Sequence, residues 1–249
     1  MECNKRLRNG SRTTREGEYL NKPRINLIVV AHPDDEILGF GGTGAKMIAQ
    51  GEIVQPVILC GCVDARTQRP LNNELAQDIK NANEAVGFAT PVLGDFPNIK
   101  INTVPHLDLV KFIEQQVEAF YPTRIFTHHP SDLNDDHNMV SRACMAAARL
   151  FQRRADIPRL ESLHFMEILS STDWAFSGDR SAFQPNEFVD DSAYRKLKIA
   201  ALGCYRNVMR DFPLSRRLET LMGLAVIRGS QCGLGSAEAF QTLFDTRLS

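Results

Sequence analysis

A cluster of acidic residues beside one imidazole lies near the start of the chain, directly after an apolar run. The motif His-Pro-Asp-Asp-Glu, residues 32–36, follows residues 25–31, whose β-branched composition is typical of a buried parallel strand. In open α/β sheets, ligands bind at the carboxyl ends of such strands. Packing does not account for the cluster, because neighbouring carboxylates repel one another and resist removal from water. A divalent cation would resolve both problems.

A second polar cluster follows another strand-like run, residues 124–128, and leads into a helical pattern. It contains His128, His129, Asp132, Asn134, Asp136 and His137. Because the carboxyl ends of parallel strands meet at one edge of a sheet, His32 and His137 can come together despite their separation in sequence. Two imidazoles and a carboxylate, with one position left open, form the ligand set of a catalytic zinc site. Asp34 and Asp35 are adjacent, so one can bind the metal while the other serves as a proton acceptor.

Strand-like runs alternate with helical patterns over the first two-thirds of the chain. The strands are predicted at residues 25–31, 53–60, 124–128 and 160–169. The helices are predicted at residues 71–86, 109–120, about 137 to 151, 194–209 and 218–227. This alternation favours right-handed βαβ units and a mostly parallel sheet, which together make an α/β fold. The last third is expected to add helices to the same core.

Composition and segment boundaries exclude several classes of protein. No repeat or linker divides the 249 residues, so we expect a single domain over residues 24–249 after a mobile, polar leader at residues 1–23. A net charge of −1 does not indicate binding to nucleic acid or to an anionic membrane. No apolar stretch reaches the roughly 20 residues of a membrane span, and the leader has no apolar core of a secretory signal. The expected location is therefore the cytoplasm, with the six scattered cysteines reduced.

Three motifs can be considered together: His-Pro-Asp-Asp-Glu at residues 32–36, Asp-Leu-Asn-Asp-Asp-His at residues 132–137 and Ser-Ser-Thr-Asp-Trp at residues 170–174. In combination they resemble the PIG-L (LmbE-like) family of zinc-dependent de-N-acetylases. The resemblance runs from about residue 27 to residue 240 and implies a Rossmann-like, three-layer fold. It also implies removal of an acetyl group from the amide nitrogen of N-acetylglucosamine, or of another N-acetylated sugar or sugar conjugate. The product would enter surface polysaccharide, lipopolysaccharide or a specialised metabolite, and relatives of this kind often form homo-oligomers.

The resemblance also assigns roles to individual residues. The metal ligands, for Zn²⁺ or another divalent ion, are His32, Asp35 and His137. The general base is Asp34, and Asp136 is expected to orient a ligand. Glu36 is either a second supporting carboxylate or the solvated start of the next helix. Arg66 resembles an arginine near the substrate that could grip a phosphate or carboxylate, and Trp174 could stack on a sugar ring.

The chain departs from the family pattern at the group that stabilises the oxyanion. Many relatives carry a histidine three residues before the second metal histidine, and here that position is Asn134. A nearer branch has a C-terminal histidine where this chain has Leu214. Asn134 could donate an amide hydrogen bond instead, or His129 could swing over the site. In the remaining alternative, the protein retains metal as a binding protein without deacetylase turnover.

A glycine-rich stretch suggests a competing function as a nicotinamide-dinucleotide-binding protein. Residues 39–44 match the pattern G-x-G-x-x-G, and Asp64 follows about 20 residues later. However, seven residues separate these glycines from the preceding strand, and three of the seven are acidic. Those charges would repel a pyrophosphate, so we interpret the glycines as positions that let the first helix pack tightly against the sheet or that leave room for substrate.

Overall fold

Seven strands form one mixed sheet in the computed structural model, which describes residues 23–62, 70–176 and 182–246. The strands are β1 Ile25–Val30, β2 Ile53–Ile58, β3 Val92–Leu93, β4 Arg124–His128, β5 Ser162–Met166, β6 Glu187–Asp190 and β7 Ala237–Asp245. Their order across the sheet is β3-β2-β1-β4-β5-β7-β6. The first five strands pair in parallel, whereas β7 runs antiparallel to both of its neighbours.

Helices cover both faces of this sheet. They are α1 Asp35–Ala49, α2 Asn72–Val86, α3 His106–Phe120, α4 Asp135–Ala147, α5 Leu150–Arg153, α6 Arg195–Cys204 and α7 Leu218–Ser230. Short 3₁₀ turns lie at Ile101–Thr103 and Thr172–Trp174. Within the part of the chain that the structure describes, no helix has the length and apolar character needed to cross a membrane.

The alternating side chains of β1 divide the core into two layers. Ile28 and Val30 pack in a cluster with α1, α2 and α6, whereas Leu27 and Val29 pack in a cluster with α3 and α4. All four side chains are fully buried. Burial of each such side chain contributes about 1.5–3 kcal/mol. A strand covered on both faces needs no polar side, which explains the nearly continuous apolar run in the sequence.

The pairing of β1 with β4 brings the two predicted polar clusters to one edge of the sheet. Val29 pairs with Thr127 in parallel, so the chain leaves both strands at the same level. The segment after β1 turns into α1, and the segment after β4 turns into α4. The side chains of both turns therefore face a common space beyond the sheet.

The predicted α/β fold with a mostly parallel sheet is confirmed. The predicted strands and helices lie near their expected positions, although the helix expected at residues 194–209 ends at Cys204. The expectation that the last third adds only helices is wrong, because that part contains β6 and β7. Glu238, a buried carboxylate near the start of β7, obscures the apolar pattern of that strand. Of the predicted leader, residues 1–22 lie outside the described residues.

The glycines of the G-x-G-x-x-G pattern lie inside α1 rather than in a loop after β1. A Cβ atom at Gly39 would lie 2.7 Å from Ile168 Cδ1, and one at Gly42 would lie 2.8 Å from Asp191 Cβ. These positions therefore permit close approach of α1 to its neighbours, and the geometry does not support a phosphate-binding loop. Asp64, the other part of that pattern, lies outside the described residues.

Candidate metal centre and active site

The turn between β1 and α1 places two aspartates side by side at the start of the helix. Asp34 has a φ of 103°, a left-handed conformation that costs a residue other than glycine about 1–3 kcal/mol. Its backbone N–H donates to Glu36 Oε2 at 3.0 Å, and its carbonyl accepts the N–H of Leu38 at 2.9 Å. Strain of this kind persists only where the surroundings hold it and is concentrated at functional sites. The carboxylates of Asp34 and Asp35 are both fully buried.

Three donor atoms, from the turn after β1, from α1 and from α4, form a nearly equilateral triangle. His32 Nδ1 lies 3.2 Å from His137 Nε2 and 3.3 Å from Asp35 Oδ2. His137 Nε2 lies 3.2 Å from the same oxygen of Asp35. All three residues are buried.

This triangle has the dimensions of one face of a tetrahedral zinc site. Ligand distances of about 2.0–2.1 Å around a tetrahedral ion place the donor atoms about 3.3–3.4 Å apart. The donors are two imidazole nitrogens and one carboxylate oxygen, which is a common set for catalytic zinc. The residues present therefore fit a divalent metal ion, with the fourth position left for water or substrate.

Asp136 holds the first of these histidines. His32 Nε2 donates to Asp136 Oδ2 at 2.9 Å, which leaves Nδ1 facing the other two donor atoms. Asp136 also accepts the backbone N–H groups of Ile99 at 2.6 Å and Ile101 at 3.0 Å. A carboxylate in this position fixes the ring and increases its basicity. The structure thus places Asp136 against His32 rather than against its chain neighbour His137.

Asp132 holds the second histidine, a contact that the sequence analysis missed. Its Oδ1 lies 3.3 Å from His137 Nδ1, and its Oδ2 accepts the Thr172 hydroxyl at 2.7 Å. The Ser171 hydroxyl donates to the same carboxylate. Burial alone would raise the pKa of Asp132, but the hydrogen bond with His137 lowers it to about 2. The signal in the sequence was the presence of Asp132 and Ser171 in the two family motifs.

The electrostatics of the cluster favour a positive charge between its members. Burial alone would lower the pKa of His137, but the charge of Asp35 and the hydrogen bond with Asp132 raise it to about 9. His128 stacks on His137 with ring centroids 3.7 Å apart and accepts the N–H of Ala31 at 2.8 Å. Burial and the charge of His137 lower the pKa of His128 to about 3. His128 is therefore neutral, whereas His137 lies where a cation is stabilised.

Glu36 is fully buried and connects three parts of the site. Its carboxylate accepts from the Asp34 backbone, from Asn83 Nδ2 at 3.0 Å and from the Tyr205 hydroxyl. Burial raises the pKa of Glu36 to about 7. Between the two roles considered for Glu36, these contacts agree with support of the strained turn rather than with a solvated helix start.

Arg216 reaches this centre from the segment before α7, and the sequence analysis missed it as a site residue. Its Nη1 donates to Asp34 Oδ2 at 2.7 Å, and its Nη2 lies 3.9 Å from Asp35 Oδ1. Its Nε donates to Ser170 Oγ at 2.7 Å. The signal in the sequence was its place two residues after Leu214, where the nearer branch of relatives carries a histidine.

The two residues considered for the oxyanion have other partners in the structure. Asn134 is the N-cap of α4, and its Oδ1 accepts the N–H of Asp136 at 3.0 Å. His129 is buried, with its Nδ1 2.8 Å from the Ser131 hydroxyl and a further hydrogen bond with Gln241. Among the described contacts, neither side chain touches the three donor residues.

Of the two predicted substrate-binding residues, the structure describes only Trp174. Trp174 lies in the 3₁₀ turn that follows Ser171, and 51% of its surface is exposed. This turn is next to the centre, because Ser171 contacts Asp132. Arg66 lies outside the described residues.

Fold and site together define an α/β protein with a buried two-histidine, one-carboxylate cluster at the carboxyl edge of its sheet. Residues 27–148 match the family model described as PIG-L: GlcNAc-PI de-N-acetylase. This segment runs from β1 to the end of α4 and contains all three donor residues. Over this segment, which is just under half of its length, the chain matches the PIG-L family.

Named relatives extend this comparison. The chain is 28% identical over 140 residues to the uncharacterized deacetylase YaiS of Escherichia coli K12, which covers 52% of this chain and 70% of that protein. The N,N'-diacetylchitobiose deacetylase of Pyrococcus horikoshii superposes with a TM-score of 0.73 at 15% identity, over 95% of both chains. The 4-carboxy-2-hydroxymuconate hydratase GalB of Pseudomonas putida KT2440 also superposes with a TM-score of 0.73, at 17% identity, over 91% of this chain and 98% of that one. Because a deacetylase and a hydratase share the fold, the fold alone does not specify the reaction.

Proposed function

We propose that this protein is a metal-dependent hydrolase that removes the acetyl group from the amide nitrogen of an N-acetylated sugar or sugar conjugate. The observation that carries the proposal is the three-donor triangle with the buried carboxylate of Asp34 beside it. The description of the family model and the names of two relatives, YaiS and the chitobiose deacetylase, support the same reaction.

Zinc is the proposed metal, since two imidazoles and one carboxylate with an open fourth position suit it. Iron or another divalent ion can bind the same nitrogen and oxygen donors. When bound, such an ion supplies a nucleophile from water near neutral pH and polarises the substrate carbonyl.

The residues around the metal position transfer the proton and hold the reacting side chains in place. Asp34 is the proposed base, which takes the proton of the attacking water and passes it to the leaving amine. Proton transfer by a positioned side chain contributes about 10²–10⁴-fold in rate. Glu36 supports Asp34 through the backbone of the turn, while Asp132 and Asp136 hold the two histidine rings.

The proposed substrate is an N-acetylglucosamine unit of a polysaccharide, lipopolysaccharide or specialised-metabolite precursor. The half-exposed indole of Trp174 supports a sugar substrate, because an exposed aromatic ring can stack on a sugar. Its ring lies 5.6 Å from the ring of Phe176, which is 77% exposed, so two aromatic side chains flank this side of the centre.

Acetate release tests the proposal directly. Purified protein is incubated with a panel of N-acetylglucosamine conjugates, before and after treatment with a chelator and after readdition of zinc. We expect release that stops with the chelator and returns with zinc. Failure on the whole panel at full metal occupancy would instead favour the metal-retaining binding protein.

A further inference from the structure

We propose that Arg216 stabilises the negative charge that develops on the substrate carbonyl oxygen. This inference rests on the proposed deacetylase function. The family pattern would supply an imidazole for that charge, but this chain has Asn134 and Leu214 at the corresponding positions. Arg216 supplies a positive charge at the same centre from a different position in the chain.

The guanidinium group of Arg216 is fixed between the proposed base and a metal ligand. Its Nη1 contacts Asp34 Oδ2 at 2.7 Å, and its Nη2 lies 3.9 Å from Asp35 Oδ1. Only 14% of the side chain is exposed, and its Nε is held by the Ser170 hydroxyl at 2.7 Å. A carbonyl attacked by water beside Asp34 would therefore lie within reach of this group.

The other candidate donors are worse placed. Asn134 is neutral, and its side-chain oxygen caps α4. His129 is 2% exposed, hydrogen bonds with Ser131 and packs edge-on against Phe165, with ring centroids 5.4 Å apart. A charged donor forms a stronger hydrogen bond to an oxyanion than a neutral amide does. Leu214 is 54% exposed and has no polar atom in its side chain.

The charge balance of the reaction explains why the pairing with Asp34 is compatible with this role. As the water oxygen bonds to the carbonyl carbon, one water proton passes to Asp34, and an electron pair of the carbonyl moves onto its oxygen. One negative charge thus leaves the carboxylate while one appears on the oxyanion. The carbonyl then re-forms, the C–N bond breaks, and the proton passes from Asp34 to the amine. The number of negative charges beside Arg216 therefore stays the same throughout, and its donors are already in place when the oxyanion forms.

Kinetics of three variants test the proposal. Arg216→Met removes the charge but keeps much of the side-chain length, and Arg216→Lys keeps the charge without the planar group. Arg217→Met is the matched control, because Arg217 pairs at 2.7 Å with the exposed Glu219. We expect kcat of Arg216→Met to fall by about 10²–10³-fold, as for loss of one oxyanion donor, with KM within threefold and metal content unchanged. The kcat of Arg216→Lys should fall by a smaller factor. Added guanidinium ion should partly restore the kcat of Arg216→Met, and Arg217→Met should have the kcat of the wild type.

Binding of methylphosphonate provides a measurement without turnover. This tetrahedral anion resembles the acetyl group after water has added, and calorimetry on the metal-loaded protein measures its affinity. Arg216→Met should bind it at least tenfold more weakly than the wild type, with Arg217→Met unchanged. Equal affinities of Arg216→Met and the wild type would overturn the proposal.

The two measurements also separate this inference from the proposed function. Methylphosphonate binding that depends on Arg216, without acetate release from any substrate, would reject the deacetylase and keep the anion site. Acetate release with kcat of Arg216→Met within threefold of the wild type, or with the whole loss in KM, would reject the role of Arg216 and keep the deacetylase. If the protein neither binds methylphosphonate nor releases acetate, the role of Arg216 and the deacetylase function are both rejected.

Discussion

Asp34 and Asp35 are neighbours in sequence, but their carboxylates have different surroundings. Asp35 Oδ2 lies 3.2 Å from His137 and 3.3 Å from His32, whereas Asp34 Oδ2 lies 2.7 Å from Arg216. Asp34 has a strained, left-handed backbone, whereas Asp35 is the first residue of α1. We therefore expect substitutions at the centre to separate metal binding from turnover.

Asp34→Asn should keep the metal and lose turnover. The amide has nearly the shape of the carboxylate but cannot take the proton, so we expect kcat to fall by about 10²–10⁴-fold. His137→Ala should lose both metal and turnover, because it removes one of three donors. Metal content by elemental analysis and acetate release would be measured on the same preparations. A near wild-type rate for Asp34→Asn would eliminate Asp34 as the base.

Replacing the carboxylates that hold the histidines should weaken metal affinity without abolishing it. Asp132→Asn and Asp136→Asn should each lower zinc affinity by about 10–100-fold, since each ring would lose its charged partner. Asp135→Asn is the matched control, because Asp135 is the exposed neighbour in the same helical turn. Competition with a chromophoric chelator measures the affinities. A control that weakened as much as the two test variants would contradict the assigned contacts.

At the scale of secondary structure, a buried ion pair connects α1 to α6 and β7. Glu238 accepts the backbone N–H groups of Gly42 and Thr43 at 2.9 and 2.6 Å, and Lys198 Nζ donates to it at 2.7 Å. Lys198 also donates to the carbonyl of Leu38 at 2.7 Å. Both charges thus meet the backbone of the helix whose first turn carries Asp35. This contact helps to fix α1, and with it the acidic cluster at its start.

Removing one partner of this pair should destabilise the protein strongly. Glu238→Gln removes the carboxylate that pairs with Lys198, whose side chain is only 12% exposed, and such a loss typically costs about 3–5 kcal/mol. The double variant Lys198→Met with Glu238→Gln should recover part of that loss, because no unpaired charge remains. Urea unfolding measures both changes.

An exposed ion pair on α2 provides the comparison. Lys80 and Glu84 lie 3.8 Å apart with 64% and 63% of their side chains exposed. Glu84→Gln should change the free energy of unfolding by less than about 0.5 kcal/mol. A similar small change for Glu238→Gln would mean that the buried pair does not hold α1.

At the scale of the whole molecule, several buried carboxylates lie close together at the candidate centre, where the turn after β1 meets α1 and α4. Asp34, Asp35, Glu36 and Asp136 are each at most 1% exposed. Burial of several carboxylates disfavours their charged forms and opposes folding unless cations or hydrogen bonds compensate. A metal ion in the triangle would add positive charge beside these carboxylates, so metal binding and global stability should be coupled.

Zinc should therefore raise the stability of the wild type. At a free concentration one hundred times the dissociation constant, the gain is about 2.7 kcal/mol. For a chain of this size, each kcal/mol raises Tm by about 2–4 °C. Thermal unfolding followed by circular dichroism, with and without zinc, measures the shift. His137→Ala should show no such shift, and a shift of equal size in that variant would place the stabilising ion elsewhere.

The parts of this protein that local patterns encode were predictable from the sequence. The apolar run of β1 and the motif that follows it gave both the strand and the position of the acidic cluster at its carboxyl end. The family motifs then named His32, Asp35 and His137, which the structure brings within 3.3 Å of one another. Their roles as ligands, and that of Asp34 as base, stay predictions.

Tertiary structure alone decided which side chains face that cluster from distant parts of the chain. Arg216 contacts Asp34 across 182 positions, and Ser171 contacts Asp132 across 39. The strands β6 and β7 were missed for the same reason, since β7 owes its place in the sheet to pairing with β5 and β6. The periodicity of apolar residues indicates which side of a helix or strand is buried, but it does not identify the partner. Ion pairs and hydrogen bonds between distant segments depend on distances that are set only once the sheet has formed. The sequence thus determined the class of fold and the chemistry at one edge of the sheet, and packing determined which partners complete it.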